Sequence, residues 1–335
     1  MPENSPRAFV TGITGQDGSY LSEQLLGAGW DVHALVRREQ GSEPATPAAP
    51  VLLDQRIRQH RGDLADPSQL AALIQDIQPG VVFNLGGISS VARSWEEPAL
   101  TAQVSGVAVT AMLEAAWRFQ ENSGKPVKFV QASSAEIFGS ATHSPQTEET
   151  AIRPVSPYGA AKAYAHSMVD IYRERGLAAS SAILYNHESP RRPLDFVTRK
   201  ITSQVAAIAA GSGERLGLGN LEARRDWGWA PDFVDAMLRM AAAETADDYI
   251  IATGTAHSVS DFVAASFAAV GIEDWEEHVF IDQRFVRPAD ASEMRGDASK
   301  ARRQLGWEPT VEFKEIVARM TRHDVSLLEK DGLHE

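Results

Sequence analysis

A doubly wound α/β fold, with a parallel sheet and a second, smaller α/β lobe, is what three features of the chain predict. Short apolar runs alternate with helical patterns from residue 7 to residue 185. The first apolar run passes directly into a glycine-rich turn. After Tyr185 the composition shifts to polar, turn-rich segments that break the alternation. Alternation of this kind builds a parallel sheet covered by helices on both faces, and the later break marks a separate lobe made of discontinuous segments.

The elements follow in order. Arg7–Thr11 reads as a short buried strand. It runs into Gly12-Ile-Thr-Gly15-Gln-Asp-Gly18, then a helical pattern over 19–28 and a second strand over 31–36. This is a Rossmann-type β-α-β unit. Its glycines let the backbone approach a pyrophosphate, and the helix N-terminus binds the anion. The second strand ends in Arg37-Arg38. An acidic residue there would hold the ribose 2′-hydroxyl of NAD, whereas arginine suits the 2′-phosphate of NADP. NADP is therefore the expected cofactor. Residues 40–50 are rich in proline and alanine and read as an exposed loop.

Arg58–Gly62 leads to Asp63 and Leu64, an expected adenine contact. Pro67–Ile77 is helical, and the buried run 81–85 ends in Gly86-Gly87. A long helix spans 99–119. Lys128–Ala132 delivers Ser133, Ser134 and Glu136 at its C-terminal end, where open α/β sheets bind their ligands. A helix over 156–173 and the strand Ala178–Leu184 complete this half. Beyond it lie a polar block at 186–192, a helix over 196–210, a strand over 247–252 returning to the main sheet, and terminal helices within 288–335.

Four side chains in two short motifs carry the chemistry. Tyr158 and Lys162 are four residues apart and share one helix face. The lysine charge favours tyrosinate, so the phenol is expected to act as a base below its usual pKa of about 10. Ser134 supplies a hydroxyl for the same substrate oxygen. Together they form a site for oxidising an alcohol. Glu136 adds a second base, which allows chemistry beyond oxidation.

The net charge of -13 argues against nucleic acid or an anionic membrane as partner. A phosphorylated ligand remains compatible, because a few local arginines outweigh the global field. The chain has no cysteine, hence no disulfide and no thiolate metal site, and no metal is expected. Apolar stretches look far shorter than the ~20 residues that span a bilayer. The N-terminus lacks a secretory h-region, and the expected compartment is the cytoplasm.

With these residues assembled, the chain resembles the GDP-mannose 4,6-dehydratases, within the extended short-chain dehydrogenase/reductase superfamily. Thr11-Gly-Ile-Thr-Gly-Gln-Asp-Gly-Ser-Tyr-Leu21 and Asn186-His-Glu-Ser-Pro-Arg-Arg192 carry the likeness most specifically. Phe196-Val-Thr-Arg-Lys-Ile201, Leu218-Gly-Asn220, Arg225-Asp-Trp-Gly228 and Phe285-Val-Arg-Pro288 add to it. The resemblance implies cofactor contacts from Gly12, Ile13, Thr14, Gly15, Gln16, Asp17, Gly18, Arg37, Asp63, Leu64, Leu85, Gly86, Gly87, Ser89, Tyr158, Lys162, His187 and Arg192. It implies substrate contacts from Ser134, Asn186, Lys200, Arg225, Arg287 and Asp290. A diphosphate needs charge-assisted, often bidentate donors, which Lys200, Arg225 and Arg287 would supply. Residues 1–185, with a returning strand near 247–256, would form the NADP-binding domain. Residues 186–335 would form most of the sugar-nucleotide lobe.

The implied reaction is oxidation of the hexose at C4, loss of water across C5 and C6 with Glu136 as base, and return of hydride to C6. A GDP-sugar 4-reductase or epimerase would use Tyr158 and Lys162 but need no glutamate base. A non-enzymatic NADP(H)-binding sensor would keep the glycine turn and lose the catalytic set. The chain also departs from the family. Ser134 stands where threonine is usual, Ala135 replaces a small polar residue, Gly87-Ile88-Ser89-Ser90 replaces Ala-Gln-Ser-His, Leu100 replaces a tyrosine, and Asp290 replaces a glutamate. These changes leave room for a related sugar such as a heptose. Glu39-Gln40 and the rest of the 39–52 loop match poorly, and in relatives that loop helps build a tetramer. Helices near 99–119 and 156–173 offer a four-helix seam, so the expected partner is a second copy, as a homodimer or a homotetramer.

Overall fold

The computed structural model describes residues 5–37, 54–285 and 293–332. The chain runs through β1 (Arg7–Thr11), α1 (Gln16–Gly27), β2 (Asp31–Arg37), β3 (Arg58–Gly62), α2 (Pro67–Ile77), β4 (Val81–Asn84), α3 (Val91–Glu96) and α4 (Pro98–Ala102). A π turn at Gln103–Val107, α5 (Ala108–Ser123), β5 (Lys128–Ala132), α6 (Pro157–Glu174) and β6 (Ala178–Leu184) follow. Then come β7 (Asn186–Glu188), α7 (Val197–Ala209), β8 (Leu216–Leu218), β9 (Arg224–Trp229), α8 (Ala230–Ala242), β10 (Tyr249–Ile251), β11 (Ala256–Ser258) and α9 (Val259–Ala268). The last elements are β12 (Val279–Ile281), β13 (Glu293–Met294), α10 (Ser299–Leu305) and α11 (Phe313–Gly332).

Seven strands form one parallel sheet in the order β10-β6-β5-β4-β1-β2-β3. The order reverses between β1 and β4, and the crevice beyond their C-terminal ends is where such a sheet binds its ligand. Most of these strands are apolar at successive positions because helices cover both faces. Val10, Phe83 and Val130 pack on one side with Leu21 and Leu25 of α1 and Val234 and Met237 of α8. Phe9, Val82 and Phe129 pack on the other with Leu70 and Ile74 of α2, Leu113 of α5 and Val169 of α6. Each fully buried phenylalanine of β1, β4 and β5 contributes roughly 1.5–3 kcal/mol.

The second lobe centres on β9, which pairs with β7, β11 and β13. A two-stranded ladder of β8 and β12 lies beside it. Trp227, Phe262, Phe267, Ile316 and Met320 fill its core. Asp226 joins this lobe to the main sheet. Its buried carboxylate accepts from the Thr253 amide (2.8 Å), the Thr253 hydroxyl (2.6 Å) and the Gly254 amide (2.9 Å), all just after β10. Gly296, just after β13, donates a further bond at 3.3 Å.

Two expectations are corrected. The first helix begins at Gln16 rather than 19, because nothing after Gly15 breaks the helical backbone. The apolar stretches were expected to be too short for a bilayer. Yet α4, the π turn and α5 join into one helix, Pro98–Ser123, long and apolar enough by length and composition to cross one. Half of its apolar window is buried inside the fold, in contact with α2 and α6, as for a core helix.

Candidate active site

The glycine turn sits where β1 meets α1. Gly12 has φ +72°, and a Cβ there would lie 2.7 Å from the Leu85 and Gly86 backbone. A Cβ on Gly18 would stand 2.3 Å from the Gly12 carbonyl. Only glycine permits this folding of the turn onto itself. Gly15 is the N-cap of α1 and has no side chain to occupy the first-turn amides. The result is a backbone cradle at a helix N-terminus, which fits the pyrophosphate of a dinucleotide. Leu85 and Gly86 border it, Leu64 packs against Gly86, and the Gly86 amide donates to Thr11 Oγ1 at 3.0 Å; Gly87 packs against Ser105. Arg37 is exposed at the end of β2, and Ser89 is exposed beyond β4. The Asp63 carboxylate accepts the Ala65 amide at 2.9 Å, closing its own turn.

The two motifs that lie far apart in sequence, 12–18 and 186–192, meet here. Gln16 Nε2 donates to the His187 carbonyl at 3.0 Å, and the Ser189 hydroxyl donates to Gln16 Oε1 at 2.8 Å. His187 Nε2 stands 2.9 Å from Asp17 Oδ2, and its Nδ1 stands 2.7 Å from the Tyr185 carbonyl. Burial alone would raise the Asp17 carboxyl, but His187 and Arg192 bring it below its usual range. Burial likewise opposes the His187 charge, and Asp17 overcomes it, raising the imidazole. Arg192 stacks 3.8 Å from the Phe196 ring and lies 3.3 Å from Glu188.

The four catalytic candidates converge beside this cradle. Ser156 caps α6 by accepting the Gly159 amide at 3.0 Å, and Pro157 opens the helix, so Tyr158 stands in its first turn. Ser134 caps the short 3-10 turn Ala135–Ile137 and accepts the Glu136 amide at 3.3 Å. A Cβ on Gly159 would fall 2.6 Å from the Glu136 carbonyl. Glycine at that position lets the Glu136 turn press on the first turn of α6. Ser134 hydrogen-bonds the Tyr158 phenol, and the Glu136 carboxylate is close enough to oppose its ionisation.

The expected effect of Lys162 on Tyr158 is not met. Burial pushes the phenol up to about 12, with Ser134 and Arg192 only partly offsetting it. Lys162 is itself pushed down to about 8 by burial, against the pull of Asp17. Its Nζ donates to the Ala132 carbonyl at 2.7 Å and lies 5.8 Å from the Tyr158 ring centroid. Desolvation is the largest influence on each group.

The substrate candidates are more dispersed. Lys200 Nζ donates to the Gly217 carbonyl at 2.7 Å and rests 3.3 Å from the Phe285 ring centroid. Burial lowers its pKa, with Asp282 opposing. Arg225 is buried on β9 and donates to the Arg224 carbonyl at 2.9 Å. Asn186 of β7 pairs in register with Trp227 of that strand, so Asn186 and Arg225 lie in neighbouring strands of one sheet. Arg287 and Asp290 lie outside the described residues, as does the 39–52 loop. Sequence reasoning missed Asn84 and Gln131, which underlie the site. Their signal is a polar residue inside an otherwise apolar strand.

The sequence profile of the family described as GDP-mannose 4,6 dehydratase matches residues 9–320. The chain is similar to GDP-mannose 4,6 dehydratase 2 of Arabidopsis thaliana, with 45% identity over 97% of this chain and 88% of that protein. It is also similar to GDP-mannose 4,6 dehydratase of Homo sapiens, with 41% identity over 96% of this chain and 92% of that protein. Among solved structures, DesIV of Streptomyces venezuelae, a dTDP-glucose 4,6-dehydratase with NAD bound, superposes with a TM-score of 0.82. It is 25% identical, over 98% of each chain.

Proposed function

The chain belongs to the GDP-mannose 4,6-dehydratase family, and from that premise we propose that it converts GDP-mannose to GDP-4-keto-6-deoxymannose. One observation carries the reading beyond simple oxidation. The turn bearing Ser134 and Glu136 is seated on the first turn of the Tyr158 helix through Gly159, so two bases serve one small site. A 4-reductase or epimerase has no use for the second base.

The cofactor is a nicotinamide dinucleotide, and the cradle of Gly12, Gly15 and Gly18 with the α1 N-terminus would hold its pyrophosphate. We assign NADP specifically, because exposed Arg37 at the end of β2 suits a 2′-phosphate. When bound, the nicotinamide supplies a hydride acceptor for C4 and a hydride donor for C6. Ionised Tyr158 takes the C4 hydroxyl proton, and Ser134 holds the same oxygen. The C4 ketone acidifies the C5 proton. Glu136 removes that proton and passes it to the departing C6 hydroxyl, which leaves as water. The proton held by Tyr158 then balances the hydride by returning to C5. Lys162, on the same helix, is assigned to support that ionisation.

In this reading residues 1–185, with β10, hold the cofactor, and most of 186–335 holds the GDP-sugar. Asn186, Lys200 and Arg225, with Arg287 and Asp290, are assigned to the nucleotide. The chain is assigned to the cytoplasm, where nucleotide sugars meet the nicotinamide pool. A homodimer is assigned on an exposed apolar set, Trp95 of α3, Val107 of the π turn, and Tyr164 and Ile171 of α6. The function is tested by incubating the purified protein with GDP-mannose and no added reductant. A product lighter by one water is expected. Turnover that appears only with added NADPH, and without water loss, would move the chain to the reductases.

A further inference from the structure

Three polar side chains interrupt the apolar centre of the sheet at one level. Thr11, Asn84 and Gln131 are fully buried and stand opposite one another on β1, β4 and β5. The Gly86 amide donates to Thr11 Oγ1 at 3.0 Å, and the Thr11 hydroxyl donates to Asn84 Oδ1 at 2.5 Å. Asn84 Nδ2 donates to Gln131 Oε1 at 2.7 Å, and Gln131 Nε2 donates to the Ala132 carbonyl at 2.8 Å. The same carbonyl receives Lys162 Nζ at 2.7 Å.

The direction of this ladder is set at both ends. A backbone amide can only donate and a carbonyl can only accept. The hydroxyl and two carboxamides between them satisfy both ends only if every donor points towards Ala132. The ladder therefore begins at the Gly86 loop beside the cofactor cradle and ends at the acceptor of the Lys162 ammonium. An apolar sheet centre would have been simpler to pack, so its retention calls for a reason.

We infer that Gln131 is a positioning residue for Lys162: its amide fixes the Ala132 carbonyl where the ammonium donates, and its inward N–H governs how firmly Lys162 keeps its proton. The catalytic consequence rests on the reading of Lys162 as support for Tyr158. Among the described residues, Asp17 from α1 and Tyr158 from its own helix also bear on Lys162. Asp17 is already engaged by His187, which leaves the Ala132 carbonyl as the short contact that a neighbouring side chain can tune.

Gln131→Glu is the decisive variant. Its carboxylate still accepts from Asn84 but has no proton for Ala132, and it places negative charge beside the ammonium. The full chain, labelled with 13Cε-lysine, is titrated by NMR, with the Lys162 signal assigned by its loss in Lys162→Arg. The Lys162 titration should lie about one pH unit or more higher in Gln131→Glu than in the parent chain. An unmoved titration in the folded variant overturns the inference. Gln131→Met serves if the glutamate variant does not fold. It should lower kcat about tenfold at unchanged KM and shift the alkaline limb of C4 oxidation, read as bound reduced nicotinamide. A lowered thermal midpoint with parental kcat and pH limb would mean a merely structural role and also overturns it. Lys162 titration does not depend on GDP-mannose turnover, so failure of the dehydratase reading would be seen separately.

Discussion

Replacing Asp17 by asparagine isolates the contact that joins the glycine turn to the 186–192 block. His187 Nδ1 faces the Tyr185 carbonyl at 2.7 Å, so it must carry a proton. His187 Nε2 faces the Asp17 carboxylate at 2.9 Å, and a neutral ring would present a lone pair to that anion. The ring is therefore an imidazolium in an ion pair. In Asp17→Asn the new carboxamide would instead donate an N–H to a neutral ring. The change exchanges a charge-assisted bond of roughly 1.5–3 kcal/mol for a neutral one of about 0.5–1.5, a net loss of about 1–1.5 kcal/mol. The side chains are 9% and 19% exposed, so solvent screening removes little of this.

The pH dependence has a defined sign. Asp17 is depressed in the fold, so its contribution is present above about 3.8 and lost as pH falls through the lowered value. His187 is raised, so its contribution is full below about 6.5 and lost as pH rises through the raised value. The difference in thermal midpoint between parent and Asp17→Asn should be largest between about pH 4 and 6.5, at roughly 1.5–2 °C, and shrink on both sides. Scanning calorimetry in a pH series measures it. A difference that is flat with pH, or absent near pH 6, would refute the ion-pair assignment.

Glu136→Gln should allow bound reduced nicotinamide to form while slowing water loss about 10²–10⁴-fold; full turnover in a product assay would remove Glu136 from its role. Arg37→Asp should weaken NADP binding at least about tenfold relative to NAD, as read by fluorescence titration, and an unchanged ratio would reject the 2′-phosphate contact. In Gly18→Ala the new Cβ meets the Gly12 carbonyl at 2.3 Å, so we expect a loss of about 2–3 kcal/mol and of the tightly bound cofactor. A midpoint and cofactor content like the parent's would show that the turn yields more easily than its geometry implies. Val107→Glu with Ile171→Glu should convert a dimer to a monomer by light scattering; a parent chain already monomeric would dismiss the seam.

Much of the main sheet was legible because most of its strands are short, apolar and separated by helices with clear boundaries, such as Asp66 capping α2 with Pro67 at its start. The site was legible in part for a local reason: Ser134 with Glu136, and Tyr158 with Lys162, each lie within one turn of chain. What escaped was non-local. Asn84 and Gln131 are 47 residues apart, and Asp17 and His187 are 170 apart, so nothing in either neighbourhood announces the partner. The ionisation of Tyr158 was misjudged for another reason. Spacing along a helix shows which charges are near, but burial decides how much the charged form costs, and burial is a property of the whole fold.

The route of the chain between its two sheets limits how this enzyme can be recombined. It leaves the main sheet after β6, returns through α8 to supply the edge strand β10, and departs again for β11 and α9. Asp226 then fastens the β9 strand to the loop that follows β10. A cassette cut at residue 185 would carry off the seventh strand and expose β6 as an unpaired edge. Altering nucleotide specificity by grafting would thus require exchanging 186–229 and 256–285 together, with α8, β10 and α10, which share the main-sheet core, kept from the parent. Substitution at single positions is the shorter path by which such a scaffold acquires a new sugar.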